Sequence, residues 1–179
     1  MPRYAALLRA INVGGRTVKM DELRALFETV PLRRVESVIA SGNILFESAS
    51  ADLAKLESRI EAKLEKRLGY EVGTFIRTGP ELAEVAALEP FTLSGNDRTH
   101  VVFTREPLAA EAQRRVLALS NAYDEFFVKD REIYWCTRGL FSGSLVKPAA
   151  FTRAVGAPGT ARNVTTVRKL AERLGAVPR

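Results

Sequence analysis

The order in which hydrophobic spacing changes along this chain limits its fold more than any other feature. Apolar residues run almost unbroken over Tyr4–Val13, the pattern of a central strand. Over Met20–Thr29 they shift to helical spacing, with Leu23, Leu26 and Phe27 on one face and Asp21 and Glu22 in the first turn. Two strand-like runs follow, Arg34–Ala40 and Ile44–Glu47, joined by Ser41-Gly42-Asn43, a hairpin signal. From Asp52 to Leu68, the residues Leu53, Leu56, Ile60, Leu64 and Leu68 recur every three to four positions, and Gly69 ends the helix. A strand over Val72–Arg77 completes the order βαββαβ, the ferredoxin-like split unit.

That order then nearly repeats. Pro80–Leu88 reads as a short connector helix, and Phe91–Arg98 as a loop and domain boundary. A strand at Thr99–Thr104, a helix at Ala109–Leu119 and a hairpin of Glu125–Val128 with Glu132–Cys136 follow. Pro148–Val155 is a helix between Pro148 at its start and Gly156 at its end, and Asn163–Leu174 is a last helix with Asn163 as N-cap. The second half is thus βαββα, followed by a loop and an extra helix. The expected class is α+β: two ferredoxin-like subdomains with antiparallel sheets, 1–90 and 99–179, plus a C-terminal helix, in one compact protein.

Composition removes several functional classes. With 179 residues, 46% hydrophobic and 27% charged, the chain has ordinary globular make-up. One cysteine and one histidine exclude an internal disulfide framework. They also exclude a zinc site of four cysteines, or of two cysteines and two histidines. No run reaches the ~18 apolar residues that span a bilayer, and no signal peptide is expected, so the cytoplasm is the expected compartment and a membrane partner is not. No residue pattern calls for a cofactor or a metal.

Charge points to anions. The net charge is +6, and it is uneven: residues 131–179 carry 9 basic and 2 acidic side chains, against 11 and 14 over 51–130. Such a patch favours phosphates, nucleic acid or acidic partners. Arginine supplies 20 of the 27 cations, so a compositional bias accounts for the excess equally well.

The topology sharpens this. In a ferredoxin-like sheet of order 4-1-3-2, the loop after strand 1 and the turn before strand 3 lie at one edge. Asn12, Gly14 and Gly15 come from the first, Ser41, Gly42 and Asn43 from the second, and Lys19 precedes the following helix. Glycine loops feeding a helix start bind anions through free N–H groups and the helix dipole. The same residues serve as plain turns. Arg9 lies inside the expected first strand, either reaching this site or paired to a carboxylate. At the other end of the chain, Arg162 at a helix cap, with Asn163, Thr166 and Lys169, forms a second candidate anion-binding set, expected to face the same cleft as Lys19 and the glycine loop, or a capped surface helix. Replacing Arg162 and Lys19 together is expected to leave stability nearly unchanged. His100 and Cys136 fall on strands expected to be neighbours, where a Cys–His pair would form if both faced one side. Tyr134 and Trp135 point to opposite faces, and one of them is a candidate to stack a base.

LLRAINVGG (7–15), KMDELRALFE (19–28), SGNILFES (41–48) and TARNVTTVRKL (160–170) resemble the signatures of the bacterial family called domain of unknown function 1697. The resemblance implies two ferredoxin-like subdomains and brings no activity or catalytic residue with it. Ala10 stands where the family pattern has Gly, and Val164 where it has Trp. The functional expectation is a binding module for a phosphorylated small molecule or nucleic acid. The alternatives are a small enzyme using Ser41, Lys19 or Cys136, and a purely structural or interaction protein. No catalytic constellation is recognisable.

Overall fold

The computed structural model describes residues 1–12, 14–39 and 42–176. The chain divides into two units: Met1–Glu84 with Arg168–Arg179, and Val85–Val167. The expected boundary at 91–98 therefore lies inside the second unit, and the chain's last segment is grouped with the first. Contacts within the first unit account for that grouping. Arg3 donates to the Arg173 carbonyl at 2.9 Å, Arg173 pairs with Glu36, and Leu174 and Ala176 pack beside Gly79.

The first unit is built from β1 (Arg3–Leu8), α1 (Met20–Glu28), β2 (Arg33–Ser37), β3 (Asn43–Glu47), α2 (Leu53–Leu68) and β4 (Thr74–Thr78). Its sheet is antiparallel in the order β2-β3-β1-β4, the expected 4-1-3-2. Tyr4, Ala6 and Leu8 of β1 join Ile44, Phe46 and Ile76 in a core with Leu23 and Phe27 of α1 and Leu56, Ile60 and Leu64 of α2. The alternate residues Ala5, Leu7, Leu45 and Phe75 are buried as well. Burial on both faces is why β1 reads as a continuous apolar run rather than an alternating one. α2 starts at Asp52, whose carboxylate accepts from the Lys55 N–H at 2.9 Å, and stops at Gly69 in a left-handed conformation (φ +77°).

The edge strand β4 is sealed by carboxylates. Its Thr74, Ile76 and Thr78 N–H groups donate to Glu61, Glu57 and Glu81 at 2.8, 2.7 and 2.7 Å. An edge whose donors are already occupied offers no template to another strand.

The second unit holds β5 (Arg98–Thr104), α4 (Ala110–Leu117), β6 (Asp124–Lys129), β7 (Glu132–Thr137), α5 (Pro148–Val155) and β8 (Gly159–Asn163). The division falls within α3 (Gly79–Ala87) and again within α6 (Val164–Arg173). Its sheet repeats the first, in the order β6-β7-β5-β8. The expected βαββα-plus-loop is thus a full βαββαβ, and β8 is the element the sequence conceals. Gly-Thr-Ala-Arg-Asn has no apolar alternation; pairing to β5 alone makes it a strand, with Val101 opposite Arg162 and Phe103 opposite Thr160. Gly159 is required there, because a Cβ would sit 2.9 Å from Val102 Cγ1 and 3.0 Å from the Phe103 carbonyl. Val102, Ile133, Trp135, Phe126, Val116 and Val155 belong to the core on the helix side.

Among the described residues no helix is long and apolar enough to cross a membrane, and no group of His, Cys, Asp and Glu is arranged to hold a metal ion.

Candidate functional site

The loop end of the first unit carries the first candidate set. β1 stops at Leu8, so Arg9 stands beyond the strand and not inside it. The Leu8 N–H bonds the Gly42 carbonyl and the Arg9 N–H the Gly73 carbonyl, both at 2.8 Å, and these close the ladder. The chain then turns through left-handed positions at Ala10 (φ +62°), Asn12 (+54°), Gly14 (+62°) and Gly15 (+80°). Such a run cannot continue a strand. Asn12 fastens the loop, its Oδ1 accepting from the Val18 N–H at 2.6 Å.

The turn before β3 packs against the same segment. A Cβ on Gly42 (φ +73°) would lie 2.4 Å from Ile11 Cγ2 and 3.1 Å from Leu8 Cβ. Asn43 is fully buried; its amide donates to the Ile39 carbonyl at 3.4 Å, and its own carbonyl accepts from the Val38 N–H at 2.9 Å. Ser41 lies outside the described residues.

Lys19 occupies the N-cap position of α1, and no side-chain bond caps the helix. A lysine has no acceptor to offer the first N–H groups. Arg9, Arg16 and Lys19 are all exposed. Arg16 lies over the Tyr70 ring, its guanidinium carbon 4.3 Å from the centroid. Tyr70 is a part of this end that sequence reasoning missed; only the fold brings the segment after α2 beside the loop after β1. The two first-turn carboxylates of α1 are each matched by a cation, Asp21 by Arg24 at 3.4 Å and Glu22 by Arg67 at 3.1 Å.

In the second set Arg162 departs from its expected place, whereas Asn163 and Thr166 stand at a helix start as expected. Arg162 is on β8, not at a helix cap, and is 9% exposed. Its Nη1 donates to Thr160 Oγ1 and to the Ala161 carbonyl, both at 2.8 Å. Burial pulls its pKa down to about 10. Asn163 ends β8 and caps α6, its Oδ1 accepting from the Thr165 N–H at 2.8 Å. Thr166 is half-buried in the first turn of α6, and Lys169 is exposed further along.

The other candidates are structural. In the β5–β7 register Cys136 stands opposite Thr99 and His100 opposite Trp135, so the thiol and the imidazole face opposite sides of the sheet. The Cys–His pair does not form. Cys136 is fully buried, and burial raises its pKa despite the nearby Arg138. The His100 ring lies 4.4 Å from Phe141. Tyr134 is buried and donates to the Val85 carbonyl at 3.2 Å; Trp135 is buried and donates through Nε1 to Asp124 at 2.8 Å. Neither ring is free to stack a base. Asp124, fully buried, also accepts from the Ser144 hydroxyl at 2.6 Å and the Leu145 N–H at 2.8 Å, which ties the 138–147 loop to the sheet.

A family model described as "Protein of unknown function (DUF1697)" matches residues 1–134, three quarters of the chain. The chain belongs to this family. The DUF1697 match takes in the glycine loop, the 41–48 turn and the first unit's strands, and ends before the TARNVTTVRKL stretch. A solved structure, the conserved bacterial protein SP0830 from Streptococcus pneumoniae, is similar over 97% of this chain and 98% of its own, with a TM-score of 0.75 and 27% identity. Among curated proteins no sequence matches this DUF1697 chain.

Proposed function

We propose that the first unit binds a phosphate-bearing ligand, a phosphorylated small molecule or a nucleic-acid strand, at its loop end. One observation carries the reading: three exposed cations, Arg9, Arg16 and Lys19, flank a left-handed glycine loop that runs into a helix with no side-chain cap. Free N–H groups at a helix start and the positive end of its dipole favour an anion, and the cations add charge-assisted bonds. The acids of the first turn do not oppose this at full strength, because Arg24 and Arg67 each neutralise one.

The test compares the wild type with R9A/K19A. Orthophosphate, a nucleoside monophosphate and a short single-stranded oligonucleotide are the probes, read by thermal shift and by titration at several salt concentrations. At least one probe should raise the wild-type melting temperature, with affinity falling steeply with salt, and the double variant should lose at least tenfold in affinity. Equal binding by the variant, or no probe bound by the wild type, ends this reading.

A further inference from the structure

A second basic surface lies on the helix layer of the first unit, away from the loop end. A cleft of about 370 Å³ opens between the end of α1 and the outer side of α2, lined by Thr29, Val30, Arg59, Ala62, Lys63 and Lys66. That volume is in the range of small-molecule sites. It adjoins the C-terminal end of α1, whereas the glycine loop adjoins the N-terminal end, about 13 Å away along a nine-residue helix.

Charge on α2 is sorted by face. Glu57 and Glu61 point to β4, where each accepts a backbone N–H of the edge strand. Arg59, Lys63 and Lys66 follow the i, i+4, i+7 spacing of one helix face and reach the cleft. Along the axis Lys63 lies about 6 Å and Lys66 about 10 Å beyond Arg59. None of the three forms an ion pair or side-chain hydrogen bond among the described residues. The nearby helix end does not use them either: the Leu26 carbonyl accepts from the Thr29 N–H and hydroxyl, and the Phe27 carbonyl from the Val30 N–H. Three like charges converge on a cleft whose remaining wall is Val30, Ala62 and Thr29, the last with its hydroxyl already bonded to the Leu26 carbonyl.

We infer that this cleft binds a compact polyanion, an organic di- or triphosphate, with its phosphates among Arg59, Lys63 and Lys66 and its apolar part against Val30 and Ala62. One orthophosphate is too short to meet three cations spread along two turns of helix, so the site selects for linked phosphates. The site is independent of the loop end and stands or falls separately.

Titration calorimetry of the full chain with inorganic tripolyphosphate and with orthophosphate tests it. Three proteins are needed: the wild type, K63Q/K66Q, and R9A/K19A. All four substituted side chains are exposed, so circular dichroism and melting temperature should be unchanged. The expected result is tripolyphosphate binding at least tenfold tighter than orthophosphate, lost by tenfold or more in K63Q/K66Q and retained in R9A/K19A. Undiminished binding by K63Q/K66Q, equal affinity for the two anions, loss only in R9A/K19A, or no binding by the wild type would each overturn it.

Discussion

At the scale of single residues, Arg162 shows how one side chain changes meaning once its strand is known. Beside two threonines and an asparagine it looks like a surface anion ligand. In the sheet it is nearly enclosed, and its guanidinium holds Thr160 and the Ala161 carbonyl. R162A should therefore destabilise the protein by about 2–4 kcal/mol in urea unfolding, because hydrogen bonds of a buried charged group are lost together. A loss under about 0.5 kcal/mol would return Arg162 to the surface role. The single histidine makes a second prediction. Burial holds the His100 pKa below its ordinary value of 6.5. The unfolded chain then binds a proton that the native state refuses, so stability falls as pH drops through 6.5 and levels off below the folded pKa. H100F should flatten the melting-temperature profile between pH 7 and 5; an unchanged slope would place its origin elsewhere. Asp124 acts in the acid range. Burial alone would raise its pKa, but bonds from Ser144, Trp135, Leu145 and Asn121 outweigh that and lower it. Its contribution is present above the usual carboxylate pKa and lost as pH falls through the lowered one.

At the scale of elements, helices were the most legible. α1, α2 and α5 follow from periodicity and end signals that are local in sequence: Asp52 and Gly69 bound α2, and Pro148 and Gly156 bound α5. Strand limits were less so. β1 stops at Leu8 because the loop turns left-handed at Ala10, which no apolar count reveals, and β8 has no hydrophobic signature at all. The carboxylates of α2 were equally hidden. Glu57 and Glu61 look like solvated charges on a heptad-like helix, yet they seal an edge 13 to 19 residues away. E57A should strand the Ile76 N–H and cost about 1–3 kcal/mol. It should also speed hydrogen exchange at Ile76 by ten- to a hundredfold, read by NMR. Unchanged protection at that amide would show the edge needs no carboxylate.

At the scale of the whole molecule, two βαββαβ units with the same strand order arise from one chain, and the first is completed by the segment beginning at Arg168. Leu170 and Ala171 are fully buried, and Arg173 meets Arg3 and Glu36. Ending the chain at Val167 should lower the melting temperature by 5 °C or more, about what the loss of one core leucine and its neighbours produces in a protein of this size. Amides of β1 and β2 should lose protection first; a truncated chain as stable as the whole would separate the last helix from the unit. The sequence by itself determined the α+β class, the order of the first unit, its 4-1-3-2 sheet, the family and the glycine loop, because periodicity, caps and turn residues act within a few neighbours. Tertiary structure alone decided the rest. Sheet register turned His100 and Cys136 to opposite faces, buried Arg162, made a strand of Gly159–Asn163 and set Tyr70 beneath Arg16. Those outcomes depend on which distant backbone each residue pairs with, and hydrogen bonds between distant strands leave no mark in the residues they join.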